Sequence, residues 1–149
     1  GKQSTTYASR DVFYSRVTGI WQTGWLEFLP RTHMVNVQYY PNLAGQSIGV
    51  QVQLKGTASL TVDVSYAGQS CGTATVQGQT GVVTLNVPLT ALHLWEVGHG
   101  RLYDITLRYG DDQAASYFGM RDIQIKGNQF LLNGQPVFQR LVLDQGYNP

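Results

Sequence analysis

A strict alternation of apolar and polar residues limits this chain more than any other feature. From Gly49 it reads Gly-Val-Gln-Val-Gln-Leu-Lys, placing Val50, Val52 and Leu54 on one face and Gln51 and Gln53 on the other. Leu60, Val62, Val64 and Tyr66 repeat the pattern, as do Val83, Leu85 and Val87. Gly, Asn, Ser or Pro bound each run, as they bound half-buried antiparallel strands. Met34–Tyr40, Thr73–Gln77, Leu102–Tyr109 and Ala114–Phe118 add β-rich runs, so about seven short strands fall between residues 34 and 119. No stretch holds the i, i+3, i+4, i+7 spacing of an amphipathic helix for three turns.

Seven strands at about ten-residue spacing, with no helices between them, predict an all-β fold. The expected architecture is an immunoglobulin- or fibronectin-III-like antiparallel β-sandwich with extra flanking strands. At 149 residues the chain has room for one such domain. Only 13% of residues are charged, and 10 Lys and Arg face 9 Asp and Glu, a net charge of +1 with no like-charge run. Nucleic acid is not an expected partner, because nothing here could follow a phosphate backbone. No window approaches 18 consecutive apolar residues and Gly1–Thr6 lacks an apolar core, so neither a membrane span nor an export signal is expected. A lone Cys71 allows no internal disulfide and leaves the compartment open.

Tyr103, at the start of the penultimate run, fits either a tyrosine corner or an ordinary core aromatic. Phe130–Phe138 reads as a hairpin in which Asn133-Gly134 supplies both positive-φ positions of a type I′ turn. Arg140-Leu141-Val142-Leu143-Asp144 suits a strand buried on both faces, yet little follows it. Val12–Tyr14 and Trp21–Leu29 resemble the closing strands of something that began before Gly1.

These loose ends carry a specific resemblance. Thr18-Gly19-Ile20-Trp21-Gln22-Thr23-Gly24-Trp25-Leu26-Glu27 resembles a junction motif of family-two glycoside hydrolases, the β-galactosidase and β-glucuronidase group. Leu94-Trp95 with Gly100–Asp104 is similar to the family's approach to a late sandwich strand. Ser116–Arg121 resembles its Phe-Gly-x-Arg motif, and Phe130–Pro136 its Leu-Asn-Gly hairpin. Leu143–Tyr147 resembles the start of its catalytic (β/α)8 barrel, and Gly24 and Asn148 depart from the family pattern. The resemblance implies a piece of a larger enzyme in three parts: the tail of a sugar-binding jelly-roll domain with a linker at 1–29, the immunoglobulin-like sandwich at 30–122, and a hairpin with the first barrel strand at 123–149. Its partners would be the other domains of that glycosidase and, through them, carbohydrate. Its exposed seams, near Trp21, Phe28 and Leu141–Leu143, would favour self-association.

The family's chemistry is a retaining hydrolysis with two carboxylates about 5.5 Å apart, both from glutamates late in the barrel. The chain's two glutamates, Glu27 and Glu96, lie in a linker and a loop, so neither carries over as catalytic, and Asp111-Asp112 reads as a hairpin turn. His33, His93 and His99 with one cysteine match no zinc spacing, so no metal or other cofactor is expected. Asp144 and Gln145 follow the last apolar run, where a barrel strand would end, and are the residues expected near substrate in the parent enzyme. A second reading makes the chain a freestanding carbohydrate-binding module that uses Trp21, Trp25 or Tyr40 as its sugar platform, and a third makes it a structural adhesion domain.

Overall fold

The computed structural model describes residues 4–8, 10–11, 13–14, 19–20 and 22–143. They fall into two units, one made of residues 29–138 and the other of the flanking residues up to 28 and from 139. Among the described residues the larger unit is built entirely from strands and turns.

Seven strands form its sandwich: β1 (His33–Asn42), β2 (Ser47–Lys55), β3 (Ala58–Tyr66), β4 (Gln69–Gly78), β5 (Gly81–Pro88), β6 (Tyr103–Tyr109) and β7 (Asp112–Phe118). One sheet has the order β1-β2-β5 and the other β4-β3-β6-β7, with every pairing antiparallel. The fourth strand therefore pairs with the third. In an immunoglobulin constant domain it pairs with the fifth instead, so the arrangement departs from that type while keeping the sandwich. Register aligns the inward residues: Val50 faces Leu85 and Val52 faces Val83 in one sheet, while Leu60 faces Tyr109, Val62 faces Leu107 and Val64 faces Ile105 in the other. Ile48, Val50, Val52, Leu60, Val62, Leu107 and Tyr109 are fully shielded from solvent. A one-residue slip would turn this whole set outward, so burial itself fixes the register.

Pro41 lies in β1, an edge strand, where a missing backbone donor costs no ladder bond. Tyr39 packs against the core and Tyr40 points to solvent, as alternation at that strand end requires. The β6–β7 turn, Gly110-Asp111, starts on a glycine at φ 59°, the Gly-first pattern of a type II′ turn. Asp112 then accepts a hydrogen bond from the Met34 amide at 2.8 Å, tying β7 to β1 of the other sheet.

Beyond the sandwich, β8 (Ile123–Lys126), β9 (Gln129–Leu132) and β10 (Gln135–Pro136) make a small sheet in the order β10-β9-β8. The β9–β10 turn is Asn133-Gly134 at φ 52° and 78°, both positive as a type I′ turn demands.

The flanking unit differs from what its sequence suggests. Residues 22–30 hold no strand, and Trp25, Leu26 and Phe28 are exposed; the apolar residues there mark a preference for burial without a partner strand to realise it. Leu141–Leu143 likewise form no strand and are exposed, against the expected strand buried on both faces. Phe13 pairs with Arg10 in a short turn. Val12, Trp21, Asp144 and Gln145 lie outside the described residues.

Candidate functional site

The richest assembly of side chains sits at one end of the sandwich, where the long β5–β6 connection meets the end of β7 and the small sheet. Tyr103, the first residue of β6, anchors the connection. Its buried hydroxyl donates to the Ala91 carbonyl at 2.9 Å and accepts from the His93 amide at 2.7 Å, which is the bonding of a tyrosine corner. Burial pushes the Tyr103 hydroxyl pKa above its ordinary value; the bond from the His93 amide opposes this more weakly. Its ring stacks on Phe118 with centroids 5.1 Å apart, and His93 stacks on Tyr66 at 3.8 Å.

The connection so held presents Trp95. The Trp95 amide donates to the Met120 carbonyl at 2.9 Å, and Leu94 bridges Met120 in parallel, so the loop runs as an added strand beside residues 119–121. Gly119 permits this approach, since a Cβ there would press to 3.2 Å from Trp95 Cβ. Arg121 lays its guanidinium over the Trp95 ring, 4.8 Å from the centroid. Asn133, in the hairpin turn, donates its side-chain amide to the Trp95 carbonyl at 3.0 Å. Its Oδ1 accepts from the Asp122 amide at 3.0 Å, and its own amide donates to the Asp122 carbonyl at 2.8 Å. Three separate sequence motifs, Leu94-Trp95, Gly119–Arg121 and Asn133-Gly134, thus meet in one joint between sandwich and hairpin.

Beside the joint lies an open cleft of about 640 Å3, lined chiefly by Tyr39, Trp95, Leu102, Tyr117, Arg121 and Ile123. Arg121 is the charged group in that lining.

The acids nearby serve local structure. Glu96 closes a turn with His99 around Gly98 at φ 82°, and its carboxylate accepts from Arg101 at 3.1 Å, an exposed pair of small energetic weight. Arg101 also donates to the Leu94 carbonyl. Asp63 pairs with Arg108 and accepts from Thr73 on the outer face of the larger sheet. Glu27 accepts from the Trp25 indole at 3.0 Å. Among the described residues no three His, Cys, Asp or Glu side chains gather as a metal site would need.

Of the sequence-predicted site residues, Trp25 is 72% exposed in the flanking unit, while Tyr40 is 51% exposed on the outer face of the β1-β2-β5 sheet. Tyr40 is committed to its own strand and its neighbour, its hydroxyl donating to Gln38 Oε1 at 2.6 Å and approaching Gln51 Oε1 at 3.2 Å. Trp21, Asp144 and Gln145 lie outside the described residues. Arg121 and Asn133 entered the sequence reasoning only as the end of the Phe-Gly-x-Arg motif and as a turn residue, and neither was expected as a site residue. Their signal was present, since each is the residue in its motif whose side chain exceeds what a strand or turn requires.

Comparison with known proteins points the same way. The family model described as glycosyl hydrolases family 2 matches residues 32–121. A β-galactosidase of Leuconostoc mesenteroides is 27% identical over 156 aligned residues, covering 89% of this chain and 15% of the relative. A β-glucuronidase structure from Lactobacillus rhamnosus is 32% identical with a TM-score of 0.58, covering 74% of this chain and 19% of that one. The ligand-free β-glucuronidase of Ruminococcus gnavus is 25% identical with a TM-score of 0.59, over 74% and 19%. The chain spans less than a fifth of the length of each of these relatives.

Proposed function

Since the chain belongs to family 2 of the glycosyl hydrolases, we propose that it serves as a non-catalytic β-sandwich domain that sets the geometry between a sugar-binding domain and a catalytic barrel. The parent activity is retaining hydrolysis of O-glycosyl bonds in β-galactosides or β-glucuronides, the sugars that the relatives' names give. Residues 1–29 belong with the sugar-binding side, 30–122 are the sandwich, and 123–149 lead into the barrel. Asp144 and Gln145 then stand at the carboxyl end of the first barrel strand, close to substrate.

The observation that carries this reading is the joint at Trp95, Arg121 and Asn133. The Asn133 side-chain amide and the backbone groups of Trp95 are spent on fixing the hairpin and the loop against the sandwich, as a domain spacer requires. The carboxylates of Glu96 and Glu27 accept from Arg101 and from the Trp25 indole, which supports a local structural use of each.

The test is a size and activity comparison. Antiserum against this chain should detect, in its source cells, a band several times larger than 16.5 kDa. That larger protein should hydrolyse nitrophenyl β-galactoside or β-glucuronide, and the 149-residue chain should not. Turnover by the short chain alone would refute the non-catalytic role. Calorimetric binding of galactosides by the short chain at millimolar affinity or better would favour the carbohydrate-binding module built on Tyr40 or Trp25. In the large protein, unchanged kcat/KM for Asp144→Asn would remove Asp144 from the substrate's surroundings.

A further inference from the structure

The cleft beside the joint has a chemistry that the spacer role leaves unused. Its lining is aromatic and aliphatic, with Tyr117 and Ile123 at least half exposed and Leu102 nearly so. Ile125, on the same small sheet, is exposed as well. A patch of this kind, an arginine centred among aromatic and branched apolar side chains, has the composition of a protein–protein contact core. The arginines of the neighbouring surface are matched: Arg101 pairs with Glu96 and Arg108 with Asp63. Arg121 has its stack on Trp95 and, among the described residues, no carboxylate. Stacking orients the guanidinium plane while leaving its in-plane N–H donors available, and those donors match a carboxylate in bidentate geometry.

We infer that this cleft is the seat on which the catalytic domain docks, through a segment that puts one carboxylate on Arg121 and an apolar side chain between Tyr117 and Ile123. The inference rests on the spacer reading and names the partner surface for it. Charge complementarity argues for the occupant: the cleft presents one cation and no anion, so an acidic and apolar segment fits, and a basic one does not. The lengths of the relatives supply the source, because proteins of this family carry far more chain than the sandwich. Covering the patch would raise the worth of the ion pair, which in open water is small.

Hydrogen exchange of the 149-residue chain and of the long protein that contains it provides the first measurement, and needs no variant. Amides of Gly119–Ile125 should exchange at least tenfold more slowly in the long protein, while those at the far end of the sandwich, around Gly56 and Gly110, stay unchanged. Equal rates at Gly119–Ile125 would overturn the docking seat while leaving the spacer reading intact, whereas absence of any long protein would take both away. The second measurement treats the Arg121→Lys long protein with a water-soluble carbodiimide, which activates an adjacent carboxylate as its O-acylisourea; the new amine attacks that carbonyl to form an amide, and the carbodiimide leaves as its urea. Mass spectrometry should then find residue 121 joined by an amide to an acidic residue of the catalytic domain. A cross-link to an acid within residues 29–138, to a second copy, or no cross-link would each sink the assignment. So would saturable binding of glucuronate by the 149-residue chain that is lost in Arg121→Gln, since the cleft would then be a uronate site.

Discussion

Asn133 reaches back 38 positions to hold the carbonyl of Trp95, while its own backbone sits at φ 52° in the two-residue turn between β9 and β10. One residue therefore does two separable things. Asn133→Gly keeps the positive φ without strain but removes both side-chain bonds; Asn133→Ala loses the bonds and strains the turn. The expected costs are about 1–3 kcal/mol for the first, from a carbonyl and an amide left without their partner, and about 1 kcal/mol more for the second. Thermal unfolding should rank wild type above Gly above Ala. Amides of β8 and β9 should lose exchange protection in both variants, and equal stability of Asn133→Gly and wild type would show the joint to be idle.

The Tyr103 hydroxyl makes two bonds to the backbone of the β5–β6 connection, so Tyr103→Phe strands the Ala91 carbonyl and the His93 amide at a cost of about 1–3 kcal/mol. A pH dependence follows. Burial raises the folded-state pKa above the ordinary 10.0, so the folded chain holds a proton that the unfolded chain releases. The stability contributed by neutral Tyr103 is complete below pH 10 and falls as pH rises through the window above it. Denaturant titrations at rising pH should show wild type losing stability above that point, with a smaller loss in Tyr103→Phe. Parallel curves would remove Tyr103 as the source.

What the sequence disclosed and what it hid divide along a physical line. The alternation around Val50, Val62 and Leu85 was legible because each inward residue reports burial on a face of fixed period, whichever strand lies beside it. The same property hid the sheet assignment of β4: Thr73–Gln77 alternates identically whether it pairs with β3 or β5. The Asn133-Gly134 turn was legible because its backbone demand is local. The bond from Asn133 to Trp95 was not, because contacts between distant segments leave no period. Leu141–Leu143 misled for a related reason, since an apolar run states a preference for burial without naming what will bury it.

Gly72 of β4 shows how close the two sheets come. A Cβ there would collide with the backbone carbonyl oxygen of Pro88 in β5, an atom that cannot rotate away. Gly72→Ala should cost about 1–3 kcal/mol, the usual range for overpacking, and show as a lower midpoint in urea with an unchanged slope. Gly24 supplies the contrast: nothing lies within 4 Å of its added Cβ, so Gly24→Val should leave stability within about 0.5 kcal/mol of wild type despite restoring the branched residue of the family motif. A destabilisation by Gly24→Val comparable to that of Gly72→Ala would mean that the flanking unit packs where the structure shows open space.

The flanking unit exposes large apolar side chains in short runs, with Phe28 at 97% and Val142 at 91% exposure, flanked by Leu141 and Leu143. Three consecutive exposed apolar residues form a sticky patch. The 149-residue chain should therefore associate as its concentration rises, with light scattering giving an average mass above 16.5 kDa. Leu141→Asp combined with Leu143→Asp places like charges on that run, and should return the mass to the monomer value while leaving the unfolding midpoint of the sandwich unchanged, because neither residue belongs to its core. A wild-type chain that stays monomeric at high concentration would contradict the exposure of this run. Association that survives the double substitution would move its origin to Phe28 or to the cleft at Arg121, which the Arg121→Glu variant would then separate.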